Sequence, residues 1–400
     1  MGVQRQEGYG CSNCVIVSAA ESLKLKMHDT ESEKLLLRYR IALSFCGWAL
    51  LASLLLATTQ VLVADEHKIG SFSGDKLTTH PAWFKESFLD FEEDIAEAAA
   101  QGKRLVLYFY QDGCPYCNAL VQHNFAQRDI AQTTQDHFDL VTINMWGDRE
   151  VVQVGGQSFT EKTLAQALKV QFTPTLLFFN EAGKVVLRVN GYYPPDAFRA
   201  ALEYAHTHSD QAGSFNEFMA TQSGSRAESG TLHSEVFFAP PPFDLSATGG
   251  RPLAVFFEQS HCLECDTFHQ KVLSQPIVRS QVEKLTVVQL DLWSDTPIIT
   301  PDGRSTTARV WAAELGVGFA PTVVLFDASG AEVVRLEAVF QTFHTQGIFR
   351  YVLERAYERQ PSFQHYLSEH ANHLREQGYD VDIWSYDRPV SRDGIAIVPD

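Results

Sequence analysis

Leu105-Val106-Leu107-Tyr108-Phe109-Tyr110-Gln111-Asp112-Gly113-Cys114-Pro115-Tyr116-Cys117 decides the reading of this chain. An apolar, strand-like run ends in a short loop, and a Cys-x-x-Cys pair follows. The same order returns as Leu253-Ala254-Val255-Phe256-Phe257, a short loop, and Cys262-Leu263-Glu264-Cys265. The two cysteine pairs stand 148 residues apart. Downstream the offset becomes 147 and stays there. Trp146 matches Trp293, Asp148 matches Asp295, and Val170, Phe172, Pro174 and Thr175 match Val317, Phe319, Pro321 and Thr322. Phe179, Gly183 and Arg188 match Phe326, Gly330 and Arg335. One register held over these positions with a single gap is an internal repeat. Its period is that of a whole domain, since solenoid units are much shorter.

Each copy reads as strand, helix, strand, helix, then a strand hairpin and a closing helix. The cysteines open the first helix, Cys114 to about Phe125 or Cys262 to about Leu273. A second strand spans Leu140–Asn144 or Leu285–Leu290, and a second helix Thr160–Leu168 or Thr306–Leu315. Thr160 suits an N-cap, but Thr163 at the third position predicts no capping box. Strands at Thr175–Phe179 and Thr322–Phe326 run through Gly turns into edge strands at Val185–Val189 and Val333–Leu336. Closing helices are expected over Asp196–Tyr204 and Gly347–Tyr357. This order argues for an α/β fold with helices on the faces of each sheet. A leading helix, Phe84–Ala100, precedes only the first copy. Residues 207–249, rich in Ser, Gly and Thr, read as a linker. The tail, 359–400, offers one helix at Phe363–Gln377 and no further legible element.

A cysteine attacks only as thiolate. A helix start supplies aligned N–H groups and a dipole that stabilise that anion. Two intervening residues bring the second thiol within disulfide reach. The reading therefore makes Cys114 the nucleophile and Cys117 the thiol that resolves the mixed disulfide. Pro115 suits a first helical turn, where its missing N–H is harmless, and Tyr116 adds no charge. In the second pair Glu264 lies between the sulfurs, and a carboxylate there disfavours another anion. Cys262 is thus expected to be the weaker nucleophile and Cys265 its partner, serving as a relay to the first pair or as a held disulfide.

These residues resemble the thioredoxin superfamily, twice, over about 80–206 and 250–358. The resemblance implies two tandem thioredoxin-like domains, each a central mixed sheet flanked by helices. Cys-Pro-Tyr-Cys is shared by glutaredoxins and some periplasmic disulfide-exchange proteins. The Gln111-Asp112-Gly113 approach is similar to exported bacterial thioredoxin-like proteins associated with sulfur oxidation. In that family a cis-proline lies against the cysteines, and the residue before it offers backbone bonds to an extended substrate. Carried over, Thr173 and Pro174, with Ala320 and Pro321, are substrate contacts, and Pro115 and Tyr116 flank them. Two departures stand out. Gly113 and His261 precede the first cysteines where thioredoxin has Trp. Tyr108 and Phe256 occupy the place of its buried Asp, leaving water, Glu258 or Tyr110 to take the resolving thiol's proton.

Composition limits the other readings. Four hundred residues suggest two or three domains. A net charge of −17 disfavours nucleic acid, whose binding needs cations to replace counterions. Two Cys-x-x-Cys pairs forming one zinc site ordinarily lie ~15–20 residues apart, which these do not. No metal and no cofactor beyond the cysteines is expected. His206 and His208 read as surface loop, and Trp146 and Trp293 as core or rim packing.

The seven cysteines also include Cys11, Cys14 and Cys46. Cys11 and Cys14 lack a preceding strand, and Cys46 sits in an apolar run. That run, Ile41–Ala57, follows Arg38 and Arg40 and continues to Val63-Ala64. It reads as a signal cleaved after Ala64, so that 1–64 is an extension plus leader; the alternative is a membrane anchor through 41–63. Met27 would give a start at a more usual distance. The expected function is an exported, periplasmic thiol–disulfide oxidoreductase acting on protein thiols, with a membrane redox partner. A disulfide isomerase and a non-catalytic client-binding module are the alternatives.

Overall fold

The apolar runs at Arg104–Tyr110 and Leu253–Glu258 become the central strands of two four-stranded sheets, buried along almost their whole length. Strands covered on both faces need such continuous apolar sequence. The computed structural model describes residues 68–154, 157–222 and 231–399. The leader or anchor reading over 41–64, the start at Met27, and Cys11, Cys14 and Cys46 all lie outside the described residues. Among the described residues no helix is long and apolar enough to cross a membrane.

The first repeat is preceded by a short strand, β1 (Phe72–Ser73), and by α1 (Phe91–Ala100). It comprises β2 (Arg104–Tyr110), α2 (Pro115–Ala119), α3 (Arg128–His137), β3 (Phe138–Asn144), a hairpin of β4 (Glu150–Val154) and β5 (Gln157–Thr160), α4 (Glu161–Ala167), β6 (Thr175–Phe179), β7 (Val185–Asn190) and α5 (Pro195–His206). After it comes α6 (Phe215–Gln222). The second repeat, led by β8 (Phe243–Asp244), repeats the plan. It has β9 (Leu253–Glu258), α7 (Leu263–Thr267), α8 (Pro276–Val282), β10 (Thr286–Asp291), β11 (Pro297–Ile299), β12 (Ser305–Thr307), α9 (Ala308–Glu314), β13 (Thr322–Phe326), β14 (Glu332–Leu336) and α10 (Thr342–Leu353). The chain ends with α11 (Phe363–Glu376) and three short strands, β15 (Asp380–Asp382), β16 (Val390–Arg392) and β17 (Ile395–Ala396). A π-helical segment continues α2 at Leu120–Asn124 and α7 at Phe268–Leu273.

The sheet orders are β3-β2-β6-β7 and β10-β9-β13-β14. In each, the central strand runs parallel to one neighbour and antiparallel to the other, as Leu107 opposite Val141 and Leu177 shows. Each sheet is therefore mixed, with helices on its faces.

Several local expectations change. The leading helix begins at Phe91, not Phe84, because Leu89 is left-handed (φ 63) and Asp90 caps the chain by accepting the Glu93 N–H. Thr160 and Thr163 do form a capping box, the Thr163 hydroxyl accepting the Thr160 N–H at 2.8 Å where a Glu or Gln would ordinarily do so. The stretch read as a linker contains α6. The leading segment has a partial counterpart after all: Lys85 N–H donates to Leu140 O, and Ala239 N–H to Val287 O, the matching position of the second sheet. Phe84 packs on Tyr108 as Phe238 packs on Phe256.

The repeats meet through equivalent residues. Asn190 Nδ2 donates to Glu337 Oε2 at 3.0 Å, and the two positions differ by the repeat offset. A Cβ on Gly191 would lie 2.8 Å from the Phe340 ring and 3.7 Å from the Cβ of Ala338, its own counterpart. Tyr193 stacks on Phe319 at 4.5 Å, and Phe340, the equivalent of Tyr193, lies 5.1 Å from Phe172, the equivalent of Phe319. Such reciprocity is the mark of an isologous, two-fold interface, here closed within one chain. The helices that follow each repeat are exchanged across it. Asn216 of α6 donates to Val317 O, and Gln364 of α11 donates to Gln171 O.

Candidate redox site

Cys114 and Cys262 are the N-caps of α2 and α7, with extended backbone before the first turn. Each sulfur accepts the N–H of its partner cysteine, at 3.0 Å in both repeats. The pairs are disulfide-bonded, with Cα–Cα distances of 5.3 and 5.1 Å, within the ordinary range for such bridges. Thr173–Pro174 and Ala320–Pro321 are both cis. Thr173 Oγ1 lies 3.3 Å from the Cys114 sulfur and Thr173 O 3.5 Å from it, and Ala320 O lies 3.7 Å from the Cys262 sulfur. Cys114, Cys117, Cys262 and Cys265 and both proline loops named from the sequence thus come together, in two sets.

The sets differ in what covers them. Pro115 and Tyr116 are buried by the chain itself. The Tyr116 hydroxyl accepts the Gln341 N–H at 2.8 Å and lies 3.3 Å from His344 Nδ1. Its ring packs about Phe340, His344 and Trp384, with centroids 5.1, 5.1 and 5.0 Å away. Burial pushes the His344 pKa down to about 4, so the imidazole facing Tyr116 is neutral at physiological pH. A strap from the N-terminal side completes the cover: Lys76 N–H donates to Gly113 O, and Asn118 Nδ2 to Leu77 O. The strap is held by β1, which pairs with β15 of the tail. At the second pair, by contrast, Leu263 is 72% exposed and His261 is exposed. The sequence missed Phe340, Gln341, His344 and Trp384. The available signal was the repeat register carried past Arg335, where Tyr193 pairs with Phe340.

Beneath the first pair, Tyr108 fills the place of the missing acid. It is fully buried, and its hydroxyl, with His80 Nε2 and Thr78 Oγ1, has no partner among the described residues. An unmade buried bond destabilises, so Tyr108→Phe is expected to leave stability unchanged or raise it by up to about 1 kcal/mol in urea unfolding. A loss above about 1.5 kcal/mol would show the hydroxyl to be bonded. In the second repeat Glu258 is already engaged: it takes His269 Nε2 at 2.9 Å and Gln289 Nε2 at 2.8 Å. Burial disfavours the His269 cation, but Glu258 and Glu235 outweigh it and raise its pKa. Trp146 and Trp293 sit at the rim, each donating to a matching glutamine, Gln111 or Gln259. His206 stacks on His137, and His208 faces Arg104. Among the described residues no cluster of His, Cys, Asp and Glu has metal-binding geometry.

The profile of the thioredoxin-like domain family matches residues 91–206 and 243–345, more than half of the chain. A curated relative, the thiol:disulfide interchange protein DsbD of Pseudoalteromonas atlantica, is 26% identical over 133 residues, 32% of this chain and 21% of that protein. The match therefore spans about a fifth of that relative's length. Among solved structures, a thioredoxin-fold protein from Helicobacter pylori shares 13% identity over 38% of this chain and 98% of its own, with a TM-score of 0.29. The oxidised C-terminal domain of Neisseria meningitidis DsbD shares 16% over 29% of this chain and 92% of its own, with a TM-score of 0.22.

Proposed function

The chain belongs to the thioredoxin-like domain family, and on that premise we propose that it is an exported thiol–disulfide oxidoreductase that exchanges disulfides with protein thiols. One observation carries the reading. Twice in the chain, a cysteine sulfur at a helix start takes the N–H of a second cysteine beside a cis-proline carbonyl-bearing loop. In the reduced state the same N–H and dipole favour the attacking thiolate. The thiolate attacks a disulfide sulfur, that bond breaks as the mixed disulfide forms, and the deeper cysteine expels the second thiol. Cys114, with an uncharged spacer, is the stronger nucleophile by chemistry, and Cys262, beside Glu264, the weaker. No cofactor beyond the cysteines enters this scheme.

Export is supported by Arg38 and Arg40 before the apolar run and by Val63-Ala64 at its end. The relative's description as a thiol:disulfide interchange protein supports the exchange reaction, and a membrane redox partner is part of the same proposal. The test is insulin reduction driven by dithiothreitol. The wild-type chain is expected to accelerate it at least ten-fold over the uncatalysed rate, and the variant with serine at 114, 117, 262 and 265 to give none. Equal rates for both proteins would remove the enzyme reading.

A further inference from the structure

We infer that the two cysteine pairs divide their substrates by size: Cys262 is the point of contact for protein disulfides, and Cys114 is open only to small disulfides and thiols. The inference rests on the oxidoreductase reading above and reverses the order that spacer chemistry alone would give.

An extended client has to lie beside the spacer of the pair it exchanges with. At the first pair that space is filled. Tyr116 is 4% exposed, held by Gln341, Phe340, His344 and Trp384, while the strap crosses Gly113. At the second pair the spacer faces outward, with Leu263 72% exposed. The asymmetry has a cause in the repeat. Positions equivalent to Phe340 and His344 are Tyr193 and Ala197. Tyr193 and Phe340 make the same contact across the interface, with Phe319 and Phe172, so the difference lies beside them: Gln341, which donates its N–H to Tyr116, is matched by Pro194, which has none, and Ala197 has no side chain long enough to cover Glu264. The interface that covers the first spacer therefore leaves the second uncovered: the nucleophiles themselves are both buried, Cys114 2% and Cys262 5% exposed, and the difference lies in the residues an extended client would lie against. Leu263, an isolated exposed leucine next to the nucleophile, suits a polypeptide carrying an apolar side chain beside its cystine.

The step balances within the pair. The Cys262 thiolate attacks one sulfur of the client cystine, forming the mixed disulfide as the client bond breaks, and the departing thiolate takes a proton from water. The Cys265 thiolate then attacks Cys262, closing the 262–265 disulfide and releasing the second client thiolate, which is also protonated. Two electrons pass to the client, and a dithiol such as dithiothreitol restores the pair.

The experiment compares the full chain with Cys114→Ser/Cys117→Ser and Cys262→Ser/Cys265→Ser, each assayed with insulin and with 2-hydroxyethyl disulfide. The 262/265 variant is expected to lose insulin turnover at least ten-fold while retaining the small disulfide. The 114/117 variant is expected to keep insulin turnover within about two-fold. Insulin turnover that survives in the 262/265 variant, or is lost from the 114/117 variant, overturns the inference but leaves the enzyme reading intact. No turnover of either substrate by the wild type overturns both. Two further measurements do not depend on the serine variants folding. In the reduced wild type, a 5-kDa maleimide polymer is expected to modify position 262 at least ten-fold faster than position 114, whereas iodoacetamide narrows the ratio. Leu263→Ser, at an exposed position, is expected to raise KM for insulin about five-fold, the equivalent of about 1 kcal/mol of lost contact. Equal polymer labelling of both positions, or an unchanged KM, counts against the assignment.

Discussion

Phe340→Ala is expected to lower the unfolding free energy by about 3–5 kcal/mol, the usual cost of emptying a buried phenylalanine site. It is also expected to bring polymer labelling of Cys114 to within a few-fold of Cys262. Phe340 is 2% exposed and reaches three groups at once: the Tyr116 ring, the Phe172 ring, and the bare backbone of Gly191. The Phe340 ring lies 2.8 Å from where a Cβ on Gly191 would be, so once it is gone Gly191 offers no side chain to fill the space left behind. The cavity would therefore persist, which places the cost toward the upper end of the range. Because the ring also fixes Tyr116, its loss removes one wall of the cover over the first cysteine pair. Urea unfolding gives the first quantity and peptide mapping after brief labelling gives the second. A stability loss under about 1 kcal/mol, with Cys114 still shielded, would mean that the interface is not held by this residue.

The central strands and the β6 and β13 strands were legible because they are continuous apolar runs, and the cysteine pairs because they follow those runs. Helices α3 and α8 were not. In α3 only Ile130 and Thr134 are buried, so the helical period has almost nothing to show itself with. The terminal strands β15 to β17 have two or three residues each, too few for an alternation. Helix α6 left a trace that composition hid. Ser214-Phe215 with Phe218 matches Ser362-Phe363 with Tyr366 at the offset of the cysteine pairs. Tyr204 donates to Gly213 O and Tyr351 to Gln360 O in the same pattern, so each repeat extends through the exchanged helix. The cover over Cys114 was beyond local reading. The contacts that hold Tyr116 join residues more than 200 positions apart, and no period in the chain encodes which face of one domain meets the other.

The same interface makes stability depend on acid in a definite direction. His344 is buried against Tyr116 with its pKa pushed down to about 4, and burial lowers His370, packed on Phe343 and Tyr366, to about 4 as well. In the unfolded chain both would titrate near 6.5. Between those values the unfolded state binds protons that the folded state refuses, so stability rises with pH across this window. The contribution is complete above about pH 6.5 and is lost as pH falls toward 4. For His344 it is on the order of 3 kcal/mol. His269 acts in the opposite sense. Its pKa is raised in the fold, so its ion pairs with Glu258 and Glu235 stabilise at low pH and weaken as pH rises. His80 and His206 are lowered by burial as well, so with four lowered histidines against one raised one the urea midpoint is expected to fall between about pH 7 and pH 4.5. The fall should be shallower in His344→Asn, whatever that variant loses at neutral pH, because the titrating ring is gone. Polymer labelling of reduced Cys114 should increase over the same range once divided by the pH-dependent thiolate fraction, since a protonated His344 cannot remain packed on Tyr116 without an anionic partner. A midpoint that stays level from about pH 7 to 5, or a slope identical in wild type and His344→Asn, would place the acid-sensitive element elsewhere.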